Sequence, residues 1–123
     1  MSSRFYKILV LSFIALTASC GAFKSGYNES ELRARENVLK DDLLQMRKMI
    51  DQYAADQGKL PQSLDDLVKD DYLHQIPEDP ITKKTDWKLI TGEDPSSKGK
   101  RGIINIRSSS SEKSTEGKPY NEW

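Results

Sequence analysis

The chain is poor in the residues that most chemistry requires. Among 123 residues there is one cysteine, Cys20, and one histidine, His74. A single thiol excludes an intrachain disulfide, and with a single imidazole it excludes most metal and nucleophile constellations built from Cys and His. There is no excess of charge of either sign, because 19 Lys and Arg balance 19 Asp and Glu. The first nineteen residues carry Arg4 and Lys7 without an acid, which leaves the remainder slightly acidic. A polyanion such as nucleic acid is therefore not expected as a partner. With 36% hydrophobic and 31% charged residues, the length suits one small domain with a tethering segment and leaves no material for a large buried cleft.

No apolar run is long enough to cross a ~30 Å hydrocarbon core comfortably. The longest, Ile8 to Ala18, follows the charged start and ends in the small residues Thr17, Ala18 and Ser19, the outline of a secretory signal. The stretch Leu16-Thr17-Ala18-Ser19-Cys20 resembles a bacterial lipobox, with Thr17 where Leu is usual. That resemblance implies residues 1–19 as a signal peptide and lipidation at Cys20, where a thiol takes the diacylglycerol. A membrane-spanning anchor from Phe5 to Phe23 and plain secretion are the alternatives. Residues 20–27 contain two glycines, lack periodicity and read as a short tether.

Residues 28–58 form the organising element. Leu32, Leu39, Leu43, Met46, Ile50 and Tyr53 recur at spacings of seven, four, three, four and three, which places them on one helical face. They are the candidate helix-packing residues. Ser30, with Asn28 as rival, is the expected amino-terminal cap, followed by Glu29, Glu31 and Glu36 near the positive dipole end. The interleaved Arg33, Arg35, Lys40, Arg47, Lys48 and Glu36, Asp41, Asp42, Asp51 read as a solvated face. Gly58 is the expected stop. At about 1.5 Å per residue the helix runs on the order of 45 Å, so Leu32 and Leu39 are expected beyond the reach of the globular part, where either a partner helix covers them or the first two turns fray and bury little.

Residues 59–123 are expected to cover this helix. Ser63 to Val68 reads as a short capped helix with Leu64, Leu67 and Val68 turned inward, and Ile76 to Pro80 as an extended link. Trp87 to Ile90 and Ile103 to Ile106 are the two strands, joined by a loop from Thr91 to Gly102, giving a two- or three-stranded antiparallel sheet. Ser108 to Gly117 has little apolar content and reads as a loop or partly disordered, and Tyr120 and Trp123 are expected to pack back. The fold class is α+β.

The series LLQMRKMIDQYAADQGKLP (43–61), SLDDL (63–67), YLHQIPEDP (72–80), then Asp86-Trp87, and at the end GKPYNEW (117–123), is similar to the G-type pseudopilins of the type II secretion system. The resemblance implies a long helix packed on a small antiparallel sheet, subunits stacking through their helices into a periplasmic pseudopilus, and no catalysis. It also implies other pseudopilin or secretion-system subunits as partners, homo-oligomers among them. Two features depart from the family. Its peptidase site, a Gly before an apolar helix with Glu at the fifth position, is missing; the apolar run precedes Cys20 instead. The family's carboxyl-terminal calcium loop corresponds to Ser108 to Glu112, with one carboxylate, so no cofactor is expected and calcium is the single alternative.

The expected role is thus a non-enzymatic, pseudopilin-like subunit of an envelope assembly, lipid-anchored and facing the periplasm. A free-standing envelope lipoprotein of the same fold, binding another partner, is the second reading. Asp65, Asp66, Asp70 and Asp71 read as solvated charge, and His74 as a surface side chain.

Overall fold

The structure is a computed structural model that describes residues 28–123. Cys20, the signal segment and the tether lie outside the described residues. The element order is α1 (Glu29–Gln57), α2 (Leu64–Lys69), β1 (Lys88–Glu93), β2 (Arg101–Arg107) and a closing 3-10 turn (Tyr120–Glu122). The architecture is α+β, a long helix against a two-stranded antiparallel sheet. Among the described residues no helix is long and apolar enough to cross a membrane.

Asn28, not Ser30, caps α1. Its backbone is extended and its side-chain oxygen accepts the Glu31 N–H at 2.8 Å, whereas Ser30 lies inside the helix and donates its hydroxyl to the same oxygen. A cap must stand outside helical geometry to aim its side chain at the first free N–H groups, and only Asn28 does. At the other end Gly58 takes φ 67° and donates its N–H to the Ala54 carbonyl at 3.0 Å. A Cβ there would touch nothing within 4 Å, so the cost of Gly58→Ala is conformational alone. We expect a loss of about 1 kcal/mol in urea denaturation, the usual left-handed penalty; an unchanged midpoint would remove the cap from this account.

After the helix the chain turns back through Leu60 and Pro61, both buried. The Asp66 carboxylate reaches back to the N–H groups of Gln62 (2.9 Å) and Ser63 (3.4 Å), which starts α2. Leu64 and Leu67 are buried against α1, and Val68 is partly buried beside them. Asp71, at φ 61°, reverses the chain and lets both Tyr72 and Leu73 donate to the Leu67 carbonyl. Tyr72 then meets Tyr53 edge to face at 5.4 Å. The Ile76 to Pro80 link passes under Trp87, whose indole N–H donates to the Pro77 carbonyl at 2.7 Å.

The strands are longer than their apolar segments. They run on through Gly92 opposite Gly102 and Glu93 opposite Arg101, because backbone pairing needs no apolar side chain; the connecting loop shrinks to residues 94–100. Trp87 falls just before β1. Between Ile90 and Thr91 the register slips, with Ile90 opposite Asn105 but Thr91 opposite Ile103, so Ile104 is an extra residue on β2. This bulge undoes strict alternation. Ile103 and Ile106, three positions apart, both face the core, while Ile104 between them is half out in solvent.

A third backbone segment docks on the same sheet. Ile103 donates to the Pro61 carbonyl at 2.8 Å, and the Gln62 side-chain amide donates to the Arg101 carbonyl at 2.7 Å. The turn after α1 is thereby tied to the far strand.

The segment after β2 is an ordered strap, contrary to its composition. Ser108 and Ser114 are buried, Lys113 and Pro119 form an isolated antiparallel bridge, and Tyr120 and Asn121 donate to the carbonyls of Glu112 (3.0 Å) and Ser110 (2.9 Å). Low apolar content predicts disorder only where polar groups must rely on water. Here they find protein partners. Tyr120 and Trp123 pack together edge to face at 5.2 Å, with Tyr120 in the core.

Candidate interaction surface

Of the six candidate helix-packing residues, Leu39, Leu43, Met46, Ile50 and Tyr53 are all buried within the domain, at 3% exposure or less, and Leu32 is half-buried. Leu39 was expected to project beyond the globular part and does not. The strap climbs α1 as far as Glu36, so the part of the helix without buried positions is confined to its first two turns, before Glu36.

The charged flank of α1 is likewise less solvated than its composition suggests. Glu36, Lys40 and Arg47 form one ridge, at spacings of four and seven, and each holds the strap. The Glu36 carboxylate accepts from the Thr115 N–H (2.8 Å), the Thr115 hydroxyl (2.6 Å) and the Tyr120 hydroxyl (2.7 Å). Burial by itself pushes its pKa up, but the Thr115 and Tyr120 hydrogen bonds and the nearby Lys40 charge together outweigh burial and leave it below the usual value. Tyr120 is driven upward by burial and by the same carboxylate.

Lys40 pairs with Glu116 at 3.1 Å and lies 4.9 Å from the Trp123 ring centre. Arg47 donates to the Asn105 side chain (2.8 Å), the Ile106 carbonyl (2.9 Å) and the main-chain oxygen of Trp123 (2.7 Å). Its partners thus lie on both β2 and the strap.

Glu36 carried a legible signal that the reading as solvated charge passed over. It stands three residues before Leu39, so the series 36, 39, 43, 46, 50, 53 continues the stripe unbroken. A carboxylate on a core stripe demands buried donors. Which donors meet it was not legible, since they lie 79 and 84 residues away.

The face left open on α1 carries two large apolar side chains, Val38 at 50% and Leu44 at 68% exposure, on opposite flanks of the helix. Leu44, Lys48, Asp51 and Ala55 line an open depression, and Asp51 also borders a second, which Ile104 and Pro95 close from the sheet side. Leu89 and Ile104 are the exposed apolar residues of the sheet. His74 is exposed, and of Asp65, Asp66, Asp70 and Asp71 only Asp66 is partly covered, by its capping role.

The segment that the calcium alternative concerns, Ser108 to Glu112, brings one carboxylate, that of Glu112. The ion asks for roughly six to eight oxygens. Between Ser108 and Glu112 the hydroxyls of Ser108 and Ser109 are donated to Asp79 and Asp86, and that of Ser110 accepts the Glu112 N–H. Asp79 is fully buried and also takes the N–H groups of Ile81 and Thr82. Among the described residues no group of three or more His, Cys, Asp or Glu is arranged to hold a metal.

Comparison of the chain with family models, curated proteins and solved structures returns no match.

Proposed function

We propose that this chain is a non-enzymatic, pseudopilin-like structural subunit of a bacterial secretion or pilus-like assembly. In this reading a lipid on Cys20 anchors it in the cell envelope, facing the periplasm. The tether and the first turns of α1 stand the domain away from the membrane, and neighbouring subunits, including further copies of this chain, pack along the helix. No covalent chemistry is involved.

One observation carries the reading: a 29-residue helix buries a single stripe in its own domain and leaves Val38 and Leu44 open on the rest of its length. Burying either side chain against a neighbouring helix would take its apolar area out of water and gain free energy. The resemblance of residues 43–80 to the pseudopilins supplies the kind of assembly.

The anchor is tested by mass spectrometry of the mature amino terminus. An acyl mass on Cys20, lost in Cys20→Ser, is expected; an unmodified amino terminus would refute lipid anchoring. Packing on the two flanks is tested by Val38→Glu with Leu44→Glu. Each change should leave domain stability within about 0.5 kcal/mol, as is usual for exposed positions, while the pair abolishes filament formation or co-purification with secretion components. A wild-type protein that stays monomeric and ignores those components sinks the proposal.

A further inference from the structure

The strap is fastened to α1 at one place where a single ionisable group carries several bonds. Glu36 is 3% exposed and takes three hydrogen bonds from two strap residues, Thr115 and Tyr120. Nothing in β1 or β2 bonds to it. The strap's other side-chain ties on this side are an exposed ion pair, Lys40 with Glu116, the Lys40 ammonium 4.9 Å from the Trp123 ring centre, the single Arg47 bond to the Trp123 main chain, and Tyr120 packed in the core. An exposed pair holds little. The sheet, by contrast, is secured by its own ladder and by the Pro61 and Gln62 bonds.

We infer that residues 112–123 form an acid-released strap, latched by the Glu36 carboxylate, which comes off α1 while the helix, the β1–β2 sheet and the bonds of Ser108 and Ser109 to Asp79 and Asp86 stay in place. Protonating Glu36 removes acceptor capacity and places an O–H among three donors that already point inward. The sign follows from the lowered folded pKa. Stability from this group is fully present above the unfolded value, about 4.3, and disappears as pH falls through the lower folded value. The charged and titratable groups that face the latch are Arg33 and Lys40 on α1 and Glu116 and Tyr120 on the strap, with Glu112 acting on Tyr120. Arg33 is already paired with Glu29 at 2.7 Å. Lys40 favours the ionised latch.

Hydrogen exchange on the full chain in detergent tests the latch, with rates corrected for intrinsic pH dependence. The Thr115 amide, which donates to Glu36, reports the strap, and the Ile103 amide, which donates to Pro61, reports the rest of the domain where the turn after α1 docks on β2. At neutral pH, Glu36→Gln is expected to cut Thr115 protection about tenfold or more, the scale of a lost charge-assisted bond, and to leave Ile103 unchanged. In the wild type, acid should do the same before the sheet opens. Glu116→Gln should leave the acid response in place. Should Glu36→Gln fail to fold, Thr115→Val, an exposed change that removes only the hydroxyl donor, must give a smaller loss confined to the strap. Parallel loss at Thr115 and Ile103, a pH-independent Thr115 amide, or an acid response abolished by Glu116→Gln would each overturn the inference.

Discussion

Gly102→Val is expected to lower stability by about 3 kcal/mol, the upper end of the usual cost of overpacking a filled interior. For a domain of this size that corresponds to roughly 10 to 20 °C in melting temperature. A Cβ at position 102 would lie 2.6 Å from the Leu60 Cβ, 2.8 Å from the Pro61 carbonyl oxygen and 2.9 Å from the Gln62 amide nitrogen. Two of these three groups are anchored: Leu60 is buried, and the Pro61 carbonyl accepts the Ile103 N–H at 2.8 Å. The turn can make room only by giving up that bond and the Gln62 bond to the Arg101 carbonyl. Gly102→Ala should cost about half as much, since the branched methyls add their own contacts. Gly92→Ala is the internal comparison. Its Cβ would meet the Ile104 side chain at 2.5 Å, but that side chain is half-exposed and can swing away. Thermal denaturation of the three variants checks the order; a Gly102→Val protein as stable as Gly92→Ala would mean that the turn does not press on β2.

Two neighbouring isoleucines are expected to differ sharply. Ile103→Ala should cost about 2 to 4 kcal/mol, the transfer term plus the cavity left in a core where Ile103 is 1% exposed. Ile104→Ala should stay within about 0.5 kcal/mol, because Ile104 is 42% exposed and stands on the bulge. Denaturant midpoints of both variants decide this, and equal costs would contradict the register slip at Thr91. Strict alternation would have put 104 and 106 on one face and 103 and 105 on the other. The bulge places 103 with 106.

The comparison of these two residues shows where sequence reasoning stops. Apolar identity marks Ile103 to Ile106 as strand, but the inward set depends on whether this strand carries a residue that its partner does not match. That partner, Ile90 and Thr91, is more than ten positions away and is aligned only by the sheet itself. Gly102 is similar. The sequence shows a flexible residue at the start of a strand, and only the return of Leu60 to Gln62 onto that strand turns the flexibility into a steric requirement.

The strap is the clearest case of a reading that composition misled. Ser, Glu and Lys between residues 108 and 117 predict a solvated loop, and the ridge of Glu36, Lys40 and Arg47 predicts a solvated helix face. Each expectation was reasonable alone. Together the two polar surfaces satisfy each other, so both are ordered, and Leu39 is covered as a result.

By itself the sequence determined the elements whose cause is local. The stripe from Leu39 to Tyr53 made a helix with a buried face, Gly58 ended it through a left-handed cap, Asp66 started the short helix after Ser63, and two β-rich segments made the antiparallel pair. Periodicity, capping and turn chemistry act over a few residues, and a few residues are enough to read them. Only the tertiary structure decided which residue of β2 is the bulge, why position 102 has no side chain, and how far up α1 the domain reaches. The bulge depends on pairings 12 to 15 positions apart and the other two on contacts 40 to 84 positions apart, where the pairing is set by the packing of whole elements.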